Sequence, residues 1–322
     1  MASRAQIRAD RLAALPFEKS TSSERGIIAV FARSVRDLVA RRELTLLLVR
    51  RELKARYKDS SLGFIWSLIR PLTLLAIYYV AIGQFLGAAR GIPDFAIFVY
   101  AGLTLWGLYS DIITTGTKSI VVNAGLIKKV YLPREIFPLA SAGSAIFNFA
   151  IQFAVLIVAT LVLGQFPLGW NLLYVPAAIA LALVWGLALA VLLSALNVFL
   201  RDVEYLVEVG MLIFFWASPI VYSWSFVVDA AQRTGLTWIT DLYLLNPMSV
   251  AMLAFQRGIW AAGSQERPGP LDANGLPTVI PPQAWPADLD LRMLIMFLVG
   301  LVFLWFAQRV FSRLQGNFAQ EI

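Results

Sequence analysis

The chain has neither cysteine nor histidine in 322 residues. Their absence excludes a disulfide framework, Cys/His zinc or haem ligation, a thiol nucleophile and a Ser-His-Asp triad. It also removes the side chain most often used to move protons near neutral pH. Charge is scarce as well: 15% of residues are Asp, Glu, Lys or Arg, where a soluble domain averages about 25%. No G-x-x-x-x-G-K-[ST] and no Gly-rich dinucleotide fingerprint occurs, so the chain carries no phosphate-cradling loop of its own. No segment alternates in polarity over the roughly ten residues of a barrel strand. No pair of acids marks an ion-coupling site inside an apolar run. Asp111 falls near the inner end of the second apolar segment, and Asp202, Glu204 and Glu208 cluster at the start of the fifth. Helix-end solvation or pairing with Arg201 accounts for them.

What is present is apolar. Hydrophobic residues make up 59% of the chain and the mean hydropathy is +0.72. A soluble globule of this size cannot hide so much apolar surface, so the excess faces lipid. A helical span needs about 20 predominantly apolar residues. Six segments qualify, at residues 69–86, 95–113, 137–163, 172–196, 205–222 and 291–311. The expected fold is therefore all-α and integral to the membrane, with six transmembrane helices over residues 68–322. Residues 1–26 are polar and read as a disordered cytoplasmic tail, and residues 27–67 read as an amphipathic interface region.

Basic residues set the orientation. Six spans put 22 of the 27 Lys and Arg on one side and five on the other. The positive-inside rule then places both termini in the cytoplasm. The net charge of +7 is thus a signal of orientation and inner-leaflet anchoring, with no nucleic-acid partner implied. Before the first span, Arg50, Arg51, Lys54, Arg56 and Lys58 alternate with leucines, which suits a helix lying flat on anionic lipid. Simple anchoring and a docking surface for a cytoplasmic partner both fit that pattern.

Residues 222–291 form a long connection on the outer side. Its first half is rich in Trp, Leu and Met, and two short apolar pieces broken at Asn246-Pro247 read as a re-entrant hairpin. Such backbone is tolerated at membrane depth where protein or a water-filled cavity surrounds it. The second half, residues 264–290, carries six of the 15 prolines and reads as an irregular loop.

Three stretches carry a family resemblance. Residues 50–72, RRELKARYKDSSLGFIWSLIRPL, resemble the opening segment of the ABC-2 family of export permeases. The likeness is to the branch that exports lipid-linked polysaccharides such as O-antigen, teichoic acid, capsule and galactan. Residues 123–135, NAGLIKKVYLPRE, resemble that branch's first cytoplasmic loop. Leu245-Asn246-Pro247-Met248, followed by Arg257 and Gly258, resembles its external hairpin. The Pro-rich stretch 264–290 departs from the short connection expected there.

The resemblance implies a homodimer joined by two cytoplasmic ATP-binding subunits in the bacterial inner membrane. ATP and Mg²⁺ would be bound by the partner, with no cofactor on this chain and no enzyme activity of its own. The cargo would be an undecaprenyl-pyrophosphate-linked glycan moving through a dimeric channel among membrane lipids. Coupling to the ATPase falls on Lys118, Asn123, Leu126, Ile127, Lys128, Lys129, Tyr131, Pro133 and Arg134, where residues 118–134 read as a short apolar helix ended by a basic pair and Pro133. An ordinary solvated turn with positive-inside lysines is the plainer reading of that loop. Arg50, Arg51, Lys54, Arg56, Tyr57 and Lys58 mark the interface helix where the pyrophosphate head would enter. Trp66 reads as an interfacial anchor, Ser60, Ser61 and Gly63 as an elbow, and Pro71 as a first-turn proline.

Aromatic residues make up 13% of the chain. Tyr78, Tyr79, Phe85, Trp106, Tyr109, Phe214, Phe215, Trp216 and Tyr222 are candidates for a channel wall, since aromatic faces pack on sugar C–H surfaces without demanding one hydroxyl pattern. Interfacial belts and lipid-facing packing are the alternative for each. Pro219 is expected to bend or break the fifth helix. Two other functions stay open: an ABC-2 exporter of small hydrophobic drugs or lipids, and an integral-membrane enzyme acting on lipid-linked sugars.

Overall fold

A computed structural model describes residues 42–57, 65–88, 92–129, 132–167, 169–264, 266–271, 277–280 and 282–322. The expected tail, the first part of the amphipathic region and the elbow at Ser60, Ser61 and Gly63 lie outside the described residues, as do Lys58 and Tyr131.

The architecture is helical apart from one short two-stranded ribbon in the outer connection. Helix α1 (Arg42–Tyr57) precedes α2 (Trp66–Tyr78), which runs on as a π-helical stretch over Tyr79–Phe85. Then come α3 (Phe95–Val122), the single turn α4 (Ala124–Ile127) and α5 (Ile136–Val162). A 3₁₀ turn, Trp170–Leu173, leads into α6 (Tyr174–Phe199), followed by α7 (Val203–Trp216). The outer connection holds α8 (Trp224–Thr234), α9 (Trp238–Leu244), α10 (Pro247–Ile259) and α11 (Ala261–Ser264). Helix α12 (Leu289–Leu314) and α13 (Phe318–Glu321) complete the order.

Among the described residues five helices are long and apolar enough to cross a membrane, namely α2 with its π-helical continuation, α3, α5, α6 and α12, and the pair α9–α10, bent by 87° at its break, raises the number to six if taken as one span. Two expected spans differ from the apolar runs that mark them. Helix α3 continues nine residues past Ile113 to Val122; at 1.5 Å per residue it is about 42 Å long, more than the roughly 30 Å hydrocarbon core. Ile120, Val121 and Val122 therefore belong to α3, and the short loop helix shrinks to Ala124–Ile127. Helix α7 stops at Trp216, after 14 residues, about 21 Å of rise. It ends three residues before Pro219, whose ring disfavours helical geometry at Ser218. Pro219 thus follows the helix and does not bend it. Pro71 lies inside α2, beyond its first turn.

Helix α3 is the centre of the core. Phe98, Leu105, Leu108, Ile112 and Ile113 are fully buried, against α5, α6 and α10. Gly102 lets the segment after α7 cross α3 closely, since a Cβ there would meet the Ile220 carbonyl oxygen at 2.7 Å. Helix α12 packs on α6, where Trp185 Nε1 donates to the Met296 carbonyl at 2.9 Å. Its other face exposes Leu291, Leu294, Leu298, Val302 and Phe306, an i, i+3, i+4 apolar stripe suited to lipid.

The two ends of the bundle are tied separately. At the basic end, Gln308 Nε2 donates to Glu135 at 2.9 Å, Asn197 Nδ2 donates to the Thr117 carbonyl at 3.3 Å, and Arg134 lies 5.6 Å over the Phe318 ring. At the opposite end, Trp260 Nε1 donates to the Pro93 carbonyl at 2.8 Å, and Arg292 bridges Asp241 and Asp288, each at 2.7 Å. Part of the Pro-rich stretch, expected to be irregular, is extended. It holds an antiparallel pair, β1 (Arg267–Leu271) and β2 (Pro277–Ile280), with Arg267 opposite Ile280. Pro268, Pro270 and Pro277 fall in this two-stranded ribbon, in which edge positions need no amide donor.

Candidate functional site

A cavity of about 800 Å³ lies between α2, α3, α5 and α7. Each helix contributes one face at helical spacing. From α2 come Trp66, Arg70, Pro71, Leu74 and Tyr78; from α7 come Glu208, Met211, Leu212, Phe215 and Trp216. Four of the expected channel aromatics line it: Tyr78, Trp106, Phe215 and Trp216. They touch one another. Tyr78 stacks on Phe215 with ring centroids 5.9 Å apart, and Phe215 meets Trp106 and Trp216 edge-on, both at 5.6 Å. Trp66 joins this wall, exposed at its rim.

The remaining expected aromatics lie elsewhere. Tyr109 is buried behind the wall, 6.0 Å from the Trp106 ring. Tyr79 sits beside Phe95 at 6.3 Å, and Phe85 and Phe214 are exposed away from the cavity. Tyr222 and Pro219 belong to the segment beyond α7.

Polar side chains line the same cavity. Ser110, Asp111 and Thr114 come from α3, and Asn148 and Gln152, one turn apart, come from α5. None of the five stands among the expected site residues. The available signal was Asn148 and Gln152 at i and i+4 inside an otherwise apolar run. Asp111 is not at a helix end, because α3 continues 11 residues beyond it. At the basic end of the cavity Glu208 accepts from Lys118 Nζ at 2.8 Å. Glu208 therefore pairs with Lys118 and not with Arg201. Glu204 instead uses its backbone amide, which donates to Asn197 Oδ1 at 3.2 Å.

The far end of α7 is held by side chains of the outer connection. A helix C-terminus leaves carbonyls without backbone partners, which is costly where water is excluded. Here Tyr222 Oη donates to the Trp216 carbonyl at 2.7 Å, and Asn246 Nδ2 and Ser249 Oγ donate to that of Ala217 at 3.2 and 3.1 Å. The buried Gln256 Nε2 donates to the Pro219 carbonyl at 2.6 Å. Asn246 also caps α10 through the Met248 amide at 3.0 Å, with Pro247 in its first turn. Arg257, near the end of α10, stacks over Tyr174 with its guanidinium carbon 4.5 Å from the ring centroid.

The expected coupling residues gather at the basic end. Arg51 of α1 donates to the buried Asn123 Oδ1, and Asn123 Nδ2 donates to the Ser119 carbonyl at 2.8 Å. Leu48 is buried and Val49 packs against Gly143, so α1 rests on α5. Ile127 is buried and Leu126 half-buried, while Lys128 and Lys129 project into solvent. Pro133 and Arg134 form the turn that starts α5, with the Ile136 amide donating to the Pro133 carbonyl at 3.2 Å. Arg50 and Lys54 are exposed on α1. Lys118 stands apart from this group, on α3 at the cavity.

The family described as ABC-2 type transporter matches residues 43–260. An O-antigen export system permease protein of Myxococcus xanthus is 29% identical over 290 residues, covering 90% of this chain and 99% of its own. A protein of the same description from Klebsiella pneumoniae is 29% identical over 226 residues, covering 66% of this chain and 86% of its own.

Proposed function

Since the chain belongs to the ABC-2 type transporter family and is a multi-pass membrane protein, we propose that it is the permease subunit of an ATP-driven exporter of polysaccharide. The cargo is a glycan carried on undecaprenyl pyrophosphate, and the channel is formed by two copies of this chain. Two cytoplasmic subunits bind and hydrolyse ATP with Mg²⁺; the present chain supplies the conduit.

One observation carries the reading: a single cavity within a bundle of apolar helices is lined both by aromatic rings and by hydroxyl and amide side chains. Sugar rings have the same two kinds of surface, C–H faces and hydroxyl edges, and such a lining grips each without fixing one linkage pattern. The names of the relatives, both O-antigen export permeases, support this class of cargo. The exposed apolar faces of α2 and α7 flank the cavity, with Leu72 and Ile77 on one and Leu206, Val209 and Ile213 on the other. A second copy packed there completes the channel. Both termini lie in the cytoplasm, where Arg50, Arg51 and Lys54 on α1 attract the pyrophosphate head. The outer connection, re-entering at Asn246-Pro247, closes the external side.

The test is export in cells carrying Phe215→Ala and Trp216→Ala together, with a photo-crosslinker at Met211 in the otherwise native chain. Surface glycan is expected to fall severalfold while membrane insertion stays normal, and the crosslinker is expected to trap glycan. Unchanged surface glycan, with trapping only at positions outside this cavity, would overturn the assignment.

A further inference from the structure

A second cleft, of about 660 Å³, lies at the hairpin end of the bundle, between the start of α6, the end of α10 and the start of α12. Its length is a trench. Ala177, Ala180 and Leu181 form one side, and Met293, Leu294 and Phe297 the other. Its head is polar and carries both signs of charge, Arg257 and Asp290, with Tyr174 between them.

Arg257 is in an unusual position. It is only partly exposed, its guanidinium stacks on Tyr174, and among the described residues no carboxylate pairs with it. A cation at the head of an apolar trench in a membrane protein is costly unless an anion meets it. Its placement is also rigid. The next residue, Gly258, packs so closely on α6 that a Cβ there would lie 2.6 Å from Val175 Cγ2 and 3.1 Å from the Asn171 carbonyl oxygen. Asp290 interacts with the Tyr174 hydroxyl and is exposed at the mouth.

We propose that this cleft binds a zwitterionic amino-phospholipid of the phosphatidylethanolamine type. The phosphate meets Arg257, the ammonium meets Asp290, and one acyl chain fills the trench between α6 and α12. The pairing of charges selects the lipid. A diphosphate, or a headgroup with a second negative charge, would face Asp290 with only one cation to offset it. The lipid braces α10, and hence the clamp on α7, against α6 and α12. The proposal uses the topology inferred above only to place this lipid in the outer leaflet; the headgroup chemistry stands without it.

The test is native mass spectrometry of the full-length permease released from nanodiscs holding equal phosphatidylethanolamine and phosphatidylglycerol. The wild-type chain is expected to retain phosphatidylethanolamine in preference. Arg257→Gln is expected to cut that retention about tenfold, the loss of one charge-assisted hydrogen bond. Asp290→Asn is expected to level the two lipids, and Ala177→Phe to expel the chain with both charges intact. If Arg257→Gln does not fold, Ala177→Phe and Asp290→Asn carry the test. Equal retention of both lipids by the wild type, undiminished retention in Ala177→Phe, or displacement of the lipid by millimolar inorganic phosphate would overturn the proposal. Lipid retention is read without transport, so a Trp216→Ala chain tests export independently of this cleft.

Discussion

Lys118 Nζ lies 2.8 Å from Glu208 Oε1, joining α3 to α7 across 90 positions at the basic end of the cavity. Both side chains are partly exposed, at 38% and 54%, so the pair contributes at most about 1 kcal/mol to stability and is screened by salt. Its value is positional, because α7 carries Phe215 and Trp216 about two turns further along. Lys118→Glu and Glu208→Lys singly are expected to lower export while leaving thermal unfolding nearly unchanged. The double exchange is expected to restore export. Surface glycan measured in the three strains decides it; a double variant as impaired as both singles combined would show that the pair does not act as a latch.

Arg51 and Asn123 are joined by a hydrogen bond that ties α1 to the junction of α3 and α4. Asn123 is buried and also bonded to the Ser119 carbonyl, so its side chain is fixed and α1 follows any movement of α4. Hydrogen bonds to charged groups contribute about 1.5–3 kcal/mol, with the lower end expected beside exposed Arg51. Arg51→Ala, Asn123→Ala and the double variant form a cycle in which the double costs little more than either single. Unfolding in detergent and ATP-dependent export both report on it. Additive losses would mean that the two residues act independently.

The clamp on the far end of α7 gives a third expectation. Gln256 is fully buried, and its Nε2 serves the Pro219 carbonyl at 2.6 Å. Gln256→Leu keeps the volume and strands that carbonyl, at a cost of about 1–3 kcal/mol. The same change removes the amide oxygen, which has no partner among the described residues, so the net loss lies toward the lower figure. Gln256→Glu keeps the shape but removes the donor, and is expected to be worse than Leu because it also buries a carboxyl group. Unfolding midpoints in detergent test the ranking; Glu equal to wild type would contradict the clamp.

These relationships mark the limit of what the sequence discloses. Helix α2 with its π-helical continuation, α5, α6 and α12 begin and end within a few residues of their apolar runs, because lipid-facing length is a composition signal. The aromatic wall was partly legible, since Tyr78, Trp106, Phe215 and Trp216 sit at helical spacing in those runs. The polar part of the lining was not, because hydropathy averages Asn148 and Gln152 into an apolar helix. Nor was the continuation of α3. Its polar turn, Thr114 to Lys118, lowers hydropathy, yet the hydroxyls of Thr114 and Thr117 bond back to Ser110 and Ile113 at 2.7 Å and the helix runs on. Apart from Tyr222, the end of α7 depends on side chains 28 to 37 positions away, and no local window contains those.

Lys128 and Lys129 project from the basic end beside α4, while Ile127 beneath them is buried. Exposure separates contact from stability here. Reversing the two charges touches no packed surface and is expected to change folding by less than about 0.5 kcal/mol. Leu126 is half-buried, and Leu126→Asp adds an apolar-to-charged change at the same turn. If α4 seats in a groove of the ATP-binding subunit, Lys128→Glu with Lys129→Glu is expected to weaken co-purification of that subunit, more so at low salt, where like charges repel over about 30 Å at 0.01 M. Adding Leu126→Asp is expected to abolish both co-purification and export while the permease still inserts. Lys128→Gln with Lys129→Gln is expected to fall between wild type and the reversal, since it removes attraction without adding repulsion. The ratio of ATP-binding subunit to permease after affinity purification, at two salt concentrations, reads all three variants. A triple variant that recovers its partner and exports at the wild-type level would show that α4 is a solvated turn and that coupling runs through another surface.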